Sequence, residues 1–388
     1  MSSSPKRPRI ILVSEPMENE SLWTGLALVA QERLQRLRRQ MYRRRLTAVL
    51  LSRLPHIRYL TNFSGSAARL LITPDSVHFF TDDRYEEQVR HELFPLPGLT
   101  LHITREPVSY AVQQGLLTGI QRVGFQAESL SYATVLEIRR WWKSCRLVPI
   151  RDRFGELFIS KAPVEVELIR RAAHIASQAY EAVLGRVRVG MSERELAAEL
   201  SYLARQLGSE GDAFEIIVAS GERGALPHGR ASDRRLRKNE LVTVDFGCVV
   251  GGYVSDMTRT FVLGRADTEH RRVYQVVWQA QEQAIQALRG GMRAREADAV
   301  ARRIIEEAGF GAYFRHSLGH GIGRSVHEPP ALSPRAPQQV RLPAGAVVTV
   351  EPGIYLPKHF GVRIEDDVHV GATDISLLTT APRELLSV

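Results

Sequence analysis

The sequence predicts an α+β protein of two domains, a small α/β domain followed by a larger one assembled from two duplicated halves. Three observations predict it. The chain has 388 residues, and at roughly 100–200 residues per domain that favours two. Its charge changes character near residue 155. Residues 1–155 hold 23 Lys or Arg against 14 Asp or Glu, whereas residues 156–388 hold 29 of each. Finally, two landmarks of the second part recur at nearly one offset. Gly190-Met191-Ser192-Glu193-Arg194-Glu195 returns 101 residues later as Gly291-Met292-Arg293-Ala294-Arg295-Glu296. Val242-Thr243-Val244-Asp245-Phe246-Gly247 returns 106 residues later as Val348-Thr349-Val350-Glu351-Pro352-Gly353. Two long repeats argue for an internal duplication, and against a solenoid, which needs three or more short ones.

The expected boundaries are a tail over residues 1–30, a first domain over 31–155 and a second over 156–388. Seven arginines fall within residues 33–45, where Leu34, Leu37 and Met41 recur at helical spacing. That stretch predicts one helix with a strongly basic outer face. Thr47–Leu51, Ile57–Leu60, Leu70–Thr73 and Val77–Thr81 predict short strands broken by Pro, Asn or Asp. Asp83–Glu92, Val108–Leu117 and Tyr132–Trp142 predict helices. This domain has no dense His/Asp/Glu cluster and no glycine-rich phosphate loop, so it reads as a supporting or specificity domain.

In the second domain, Pro163 suits the first turn of a long helix whose face carries Ile169, Ala173 and Ala176, and Gly185 follows its end. Ser192 and Glu195 form a capping box for the next helix, which ends before Gly208. The second half repeats the order, with a helix over Val273–Leu288 and another ending near Gly309. Two helix–helix–strand halves are therefore expected to face each other across a pseudo-two-fold axis with a site between them.

Composition narrows the function. Cys145 and Cys248 are the two cysteines, which excludes a disulfide framework and points to a reducing, cytoplasmic setting. No apolar run reaches the roughly 20 residues of a membrane span. Lys6, Arg7 and Arg9 precede Ile10–Val13, but Glu15, Glu18 and Glu20 interrupt the stretch, so no signal peptide is expected. The net charge of +9 invites a nucleic-acid or acidic partner, held by the arginines of residues 33–45. The absence of interleaved aromatics beyond Tyr42 keeps that non-enzymatic alternative second.

The chemistry concentrates in the duplicated halves. Asp245 and Asp256 lie 11 residues apart, and Glu351 and Glu365 lie 14 apart, in each case among apolar strand residues. A lone Asp after a strand is usually a cap, yet capping does not account for carboxylates at matching points of two halves. Four inward carboxylates facing one another need compensation, and two divalent cations would supply it. His320 sits between them in Gly319-His320-Gly321-Ile322-Gly323. Asp, Asp, His, Glu and Glu make a ligand set for a two-metal hydrolytic site with a bridging hydroxide. Arg363 shares a strand face with Glu365 and could pair with a ligand carboxylate or with a substrate carboxylate. Tyr355 and Tyr253 could join the site or be packed with satisfied hydroxyls.

Leu-Pro-His-Gly at 226–229, Val-Asp-Phe-Gly at 244–247, Ser-Asp-Met-Thr-Arg-Thr at 255–260, Gly-His-Gly-Ile-Gly at 319–323, Val-His-Glu-Pro-Pro at 326–330, Glu-Pro-Gly-Ile-Tyr at 351–355 and Val-Arg-Ile-Glu-Asp at 362–366 occur in that order. Together they resemble the proline-specific branch of the pita-bread metallopeptidases, family M24, which contains Xaa-Pro aminopeptidases and Xaa-Pro dipeptidases (prolidases). Ile57–Gly65 resembles, more weakly, the family's creatinase-like N-terminal domain. The resemblance implies Asp245, Asp256, His320, Glu351 and Glu365 as ligands of two divalent ions, with Asp256 and Glu365 touching both. It implies His228 and His327 as catalytic residues and His316 as a substrate-binding one; Glu351 is the expected proton shuttle, and Arg363 and Tyr355 are the further substrate-binding candidates. Mn²⁺ is the expected ion, with Co²⁺, Fe²⁺ or Zn²⁺ as alternatives. The expected substrates are Xaa-Pro dipeptides or peptides with proline second, and the expected assembly is a homodimer.

Overall fold

The computed structural model describes residues 16–151 and 154–388. The first helix, α1 (Pro16–Arg43), is longer at its start than the sequence suggests. Of the expected tail, residues 1–15 lie outside the described residues, whereas 16–30 belong to this helix. The reason is a continuous apolar stripe: Leu26, Ala27, Ala30, Leu34, Leu37 and Met41 are all buried at three- and four-residue steps. The basic outer face is real but incomplete. Arg36, Arg39, Arg43 and Arg45 are exposed, whereas Arg33 is 3% exposed.

A six-stranded mixed sheet forms the rest of the first domain. Its strands are β1 (Ala48–Leu51), β2 (Arg69–Ile72), β3 (Val77–Thr81), β4 (Leu99–Ile103), β5 (Arg122–Gln126) and β6 (Arg146–Ile150), in the order β4-β3-β2-β1-β5-β6. Helices α2 (Leu54–Thr61), α3 (Glu86–Glu92), α4 (Pro107–Gln113) and α5 (Tyr132–Trp141) connect them. Ile57–Leu60, expected as a strand, is helical. Pro55 pre-sets the first turn, Ile57 and Leu60 reach the core from one face, and Asn62 closes the helix at φ 67°.

The second domain opens with α6 (Pro163–Leu184) and α7 (Glu193–Gln206), the latter capped by the expected Ser192–Glu195 box. Next come β7 (Ile217–Ser220), β8 (Glu240–Phe246), the short hairpin β9 (Val249–Val250) and β10 (Tyr253–Val254), and β11 (Met257–Leu263). The second half repeats this with α8 (Thr268–Ala287) and α9 (Ala294–Glu307). Its strands are β12 (Gly319–Gly321), β13 (Glu328–Leu332), β14 (Ala346–Val350), β15 (Gly353–Leu356), β16 (Phe360–Arg363), β17 (Asp366–Val370) and β18 (Ile375–Leu377). The sheets order as β11-β8-β7 and β13-β12-β14-β17-β18.

The duplication is visible in the pairing. β8 pairs antiparallel with β11, and β14 with β17. Asp245 is the penultimate residue of the first pair's leading strand, and Glu351 follows its counterpart. Asp256 and Glu365 each stand one residue before the returning strand. The halves meet there, since the Glu365 amide donates to the Thr258 carbonyl at 3.0 Å. Each half has its own apolar core, and a third core joins α1, α2 and the β1–β2–β3 face to α6 and β10.

Candidate active site

The strand ends described above place Asp245, Asp256, His320, Glu351 and Glu365 on the wall of one cavity of about 700 Å³. His228, His316, His327 and Arg363 line the same cavity, together with Phe214, Ile217 and, from the first domain, Arg53. Side-chain oxygens of Asp256 and Glu365 and a ring nitrogen of His320 lie within 4.8 Å of one another. His320 Nε2 stands 3.4 Å from Glu351 Oε1 and 3.7 Å from Asp256 Oδ2. These approaches are not ion pairs at neutral pH, because burial, aided by His327, holds the imidazole down at about 4. His320 Nδ1–H donates to the Gly321 carbonyl at 3.1 Å, which leaves the Nε2 lone pair facing carboxylate oxygens.

The carboxylates carry the same sign of strain. Burial pushes the Asp256 carboxyl well above the ordinary range, and Glu365, Asp245 and Glu351 add to the push. Glu365 is raised in the same way, by burial and then by Glu351 and Asp245. Burial drives Glu351 up to about 8, against the pull of Arg363. Asp245 Oδ1, Asp256 Oδ1 and Glu365 Oε1 are buried and accept no hydrogen bond. Converging lone pairs with no donor among them fit a cation better than any arrangement of the protein alone. The donor set of four carboxylates and one imidazole suits divalent metal ions.

A layer of neighbours fixes these groups. Arg363 donates to Asp245 Oδ2 at 2.6 Å, to the Tyr355 hydroxyl and to the Pro227 carbonyl, and its Nε–H to Thr258 Oγ1 at 2.9 Å. The Tyr355 hydroxyl in turn donates to His316 Nε2 at 2.8 Å, and His316 Nδ1–H donates to the Ser317 carbonyl. Of the two pairings left open for Arg363, the structure contains the one with Asp245. Tyr355 is 3% exposed and does not line the cavity; it reaches the site through Arg363 and His316. Tyr253 is remote, its hydroxyl donating to Glu165 at 2.6 Å. His228 and His327 line the cavity, and the His327 ring lies 4.3 Å from that of His320. Burial and His228 lower the His327 pKa, so it is a neutral N–H donor near pH 7.

Sequence reasoning missed three partners. Thr258 donates to Glu365 Oε2 at 2.5 Å, Thr349 donates to Glu351 Oε1 at 3.3 Å, and Asp367 Oδ2 accepts from the Asp256 amide at 3.0 Å. Period two was the available signal. Thr258, Thr349 and Asp367 each stand two residues from a candidate ligand, hence on its strand face.

Comparisons with known proteins agree with this geometry. The model of "Metallopeptidase family M24" matches residues 167–372, and that of "Creatinase/Prolidase N-terminal domain" matches residues 33–157. The Xaa-Pro dipeptidase of Pyrococcus horikoshii is 34% identical over 92% of this chain and 99% of its own. The solved Xaa-Pro dipeptidase from Bacillus anthracis superposes with a TM-score of 0.87 at 37% identity, over 92% of this chain and all of that one. The X-Pro aminopeptidase from Thermotoga maritima gives 0.85 at 34%, over 92% of this chain and 99% of that one.

Proposed function

The chain belongs to metallopeptidase family M24, and from that premise we propose that it hydrolyses the bond between an N-terminal residue and a following proline. The observation that carries the reading is the cluster of Asp256, Glu365 and His320 ligand atoms within 4.8 Å of one another, in a cavity where three buried carboxylate oxygens accept no hydrogen bond. Asp245, Asp256, His320, Glu351 and Glu365 would hold two divalent ions. Mn²⁺ is the preferred ion for such hard oxygen donors, ahead of Co²⁺, Fe²⁺ or Zn²⁺. Bound there, the ions would supply Lewis acidity, activating a water and polarising the scissile carbonyl.

The chain's own groups then have distinct tasks. His327, as a neutral donor, would stabilise the charge that develops on the carbonyl oxygen. His228 lines the same cavity and would contact the proline side. Glu351, whose carboxyl burial pushes up to about 8, would carry a proton to the departing proline nitrogen. His316 borders the substrate. Arg363 and Tyr355 keep Asp245 and His316 in place. The reading spans dipeptidase and aminopeptidase, and it carries with it a homodimer in the cytoplasm.

The binding-protein alternative is not favoured, because Arg33, one of its seven arginines, is spent on Glu165 inside the protein. The deciding experiment compares hydrolysis of an Xaa-Pro dipeptide, an Xaa-Pro tripeptide and a proline-free dipeptide, before and after Mn²⁺ is added to chelator-treated protein. Metal-dependent cleavage confined to the proline substrates is expected. Cleavage indifferent to metal, or to proline, would overturn the reading.

A further inference from the structure

We propose that Glu328 is the positioning residue for His327, and that through it the first domain fixes one wall of the reaction site. The proposal rests on the reading of His327 as a residue that meets the scissile carbonyl.

Glu328 is the neighbour of His327 at the start of β13, yet the two side chains diverge. His327 turns to His320, with ring centroids 4.3 Å apart. Glu328 turns to the boundary between domains, its side chain 8% exposed. There it accepts from three separate parts of the chain. Tyr59, on α2 of the first domain, donates its hydroxyl between Oε1 and Oε2 at 3.0 and 3.1 Å. Lys161, on the connector before α6, donates to Oε2 at 3.0 Å. The amides of Arg324 and Ser325 donate to Oε1 at 3.0 and 3.1 Å, closing the loop that leads into His327.

The donors are themselves held. Tyr59 is 2% exposed and stacks on Phe158 at 4.7 Å, and its hydroxyl accepts from the Arg324 amide at 3.0 Å. Lys161 Nζ also donates to the Phe158 carbonyl at 2.6 Å. Gly323 leaves room for the convergence. A Cβ there would stand 2.0 Å from the Tyr59 hydroxyl and 2.7 Å from Glu328 Oε2. Such saturation of one carboxylate is more than cohesion needs, since a buried ion pair roughly breaks even against apolar packing. What it accomplishes is geometric. It leaves Glu328 one place to be, and the adjacent backbone carries His327 with it. A displacement of about 1 Å at a reacting group can cost on the order of 100-fold in rate.

The test uses the full-length, Mn²⁺-loaded protein and an Xaa-Pro dipeptide. Glu328→Gln and Tyr59→Phe are each expected to lower kcat about 10- to 100-fold, with KM nearly unchanged and bound metal equal to wild type. In a His327→Asn background, Glu328→Gln is expected to add no further loss. Wild-type kcat in both single variants, loss of bound metal, or a full additive loss on top of His327→Asn would overturn the proposal. Tyr59→Phe removes one hydroxyl only, so it decides the matter should Glu328→Gln fold poorly. A His327→Asn enzyme with wild-type kcat would instead overturn the reading of His327 itself.

Discussion

The Arg363 guanidinium lies 2.6 Å from Oδ2 of Asp245, fully inside the protein, although the two residues are 118 apart in sequence. One oxygen of Asp245 is thereby spent on the protein and the other is left free. The carboxylate is thus oriented before any cation or substrate arrives, which is how a supporting residue keeps a ligand in place.

Replacing Arg363 with Met should therefore do more than remove a charge. It would leave Asp245 buried without its partner, a change worth about 3–5 kcal/mol when a buried pair is broken. The expected result is a large fall in unfolding temperature for the metal-free protein and a smaller one with Mn²⁺ present. Calorimetry on both forms checks this; equal falls would show that Arg363 and the cations do not act on the same carboxylate.

Asp256 has the opposite problem, too much negative charge nearby. Its raised pKa means that the metal-free protein loses stability as pH rises above the ordinary carboxylate range, where ionisation is forced. Asp256→Asn removes that penalty. At pH 7.5 the metal-free Asn variant should unfold at a higher temperature than metal-free wild type, yet bind less metal and be inactive. Denaturation curves together with metal analysis decide it, and a less stable metal-free variant would contradict the account.

His56 supplies a pH dependence away from the site. Burial, aided by Arg53, lowers its pKa from 6.5 to about 3, and the Gln126 amide donates to its Nδ1 at 2.7 Å. A depressed histidine pKa favours the folded state above the unfolded value and is lost as pH falls. Stability should decline between pH 6.5 and 4, with a ceiling of roughly 3 kcal/mol from this group. His56→Gln should flatten that decline; an unchanged slope in urea titrations would rule His56 out as its source.

Arg53 bears on substrate length. It lines the catalytic cavity from the first domain and makes no side-chain ion pair among the described residues. A free proline carboxylate would meet it, and a charge-assisted contact of about 1.5 kcal/mol corresponds to roughly tenfold in affinity. Arg53→Met should raise KM for an Xaa-Pro dipeptide about tenfold and leave an Xaa-Pro amide unaffected. Equal effects on both would show that Arg53 does not read the carboxylate.

The placement of the candidate ligands was legible because duplication and strand alternation are local signals. Asp245 matches Glu351, and Asp256 matches Glu365, by position on paired strands. Ile57–Leu60 misled because a four-residue stretch, Ile-Arg-Tyr-Leu, is too short for its apolar spacing to separate a strand from a buried helix. The start of α1 was hidden because only its later turns carry arginine to outline a face. The strand face of Arg363 pointed to a ligand carboxylate without saying which one, and the partners of Glu328 were not legible at all. Tyr59 and Glu328 are 269 residues apart, and nothing local marks a hydroxyl that closes such a distance.

Two buried carboxylates of the second domain, Glu165 and Glu328, draw donors from the first. Arg33 grips Glu165 with two 2.6 Å bonds, and Tyr59 caps Glu328. The two domains are consequently not interchangeable parts. A chimera that keeps residues 156–388 and takes its first domain from a relative must import an arginine and a tyrosine at these two points. Otherwise Glu165 would lose its only arginine among the described residues and Glu328 its tyrosine donor, each buried carboxylate would be under-satisfied, and recombination across the boundary would be selected against even where both parents fold.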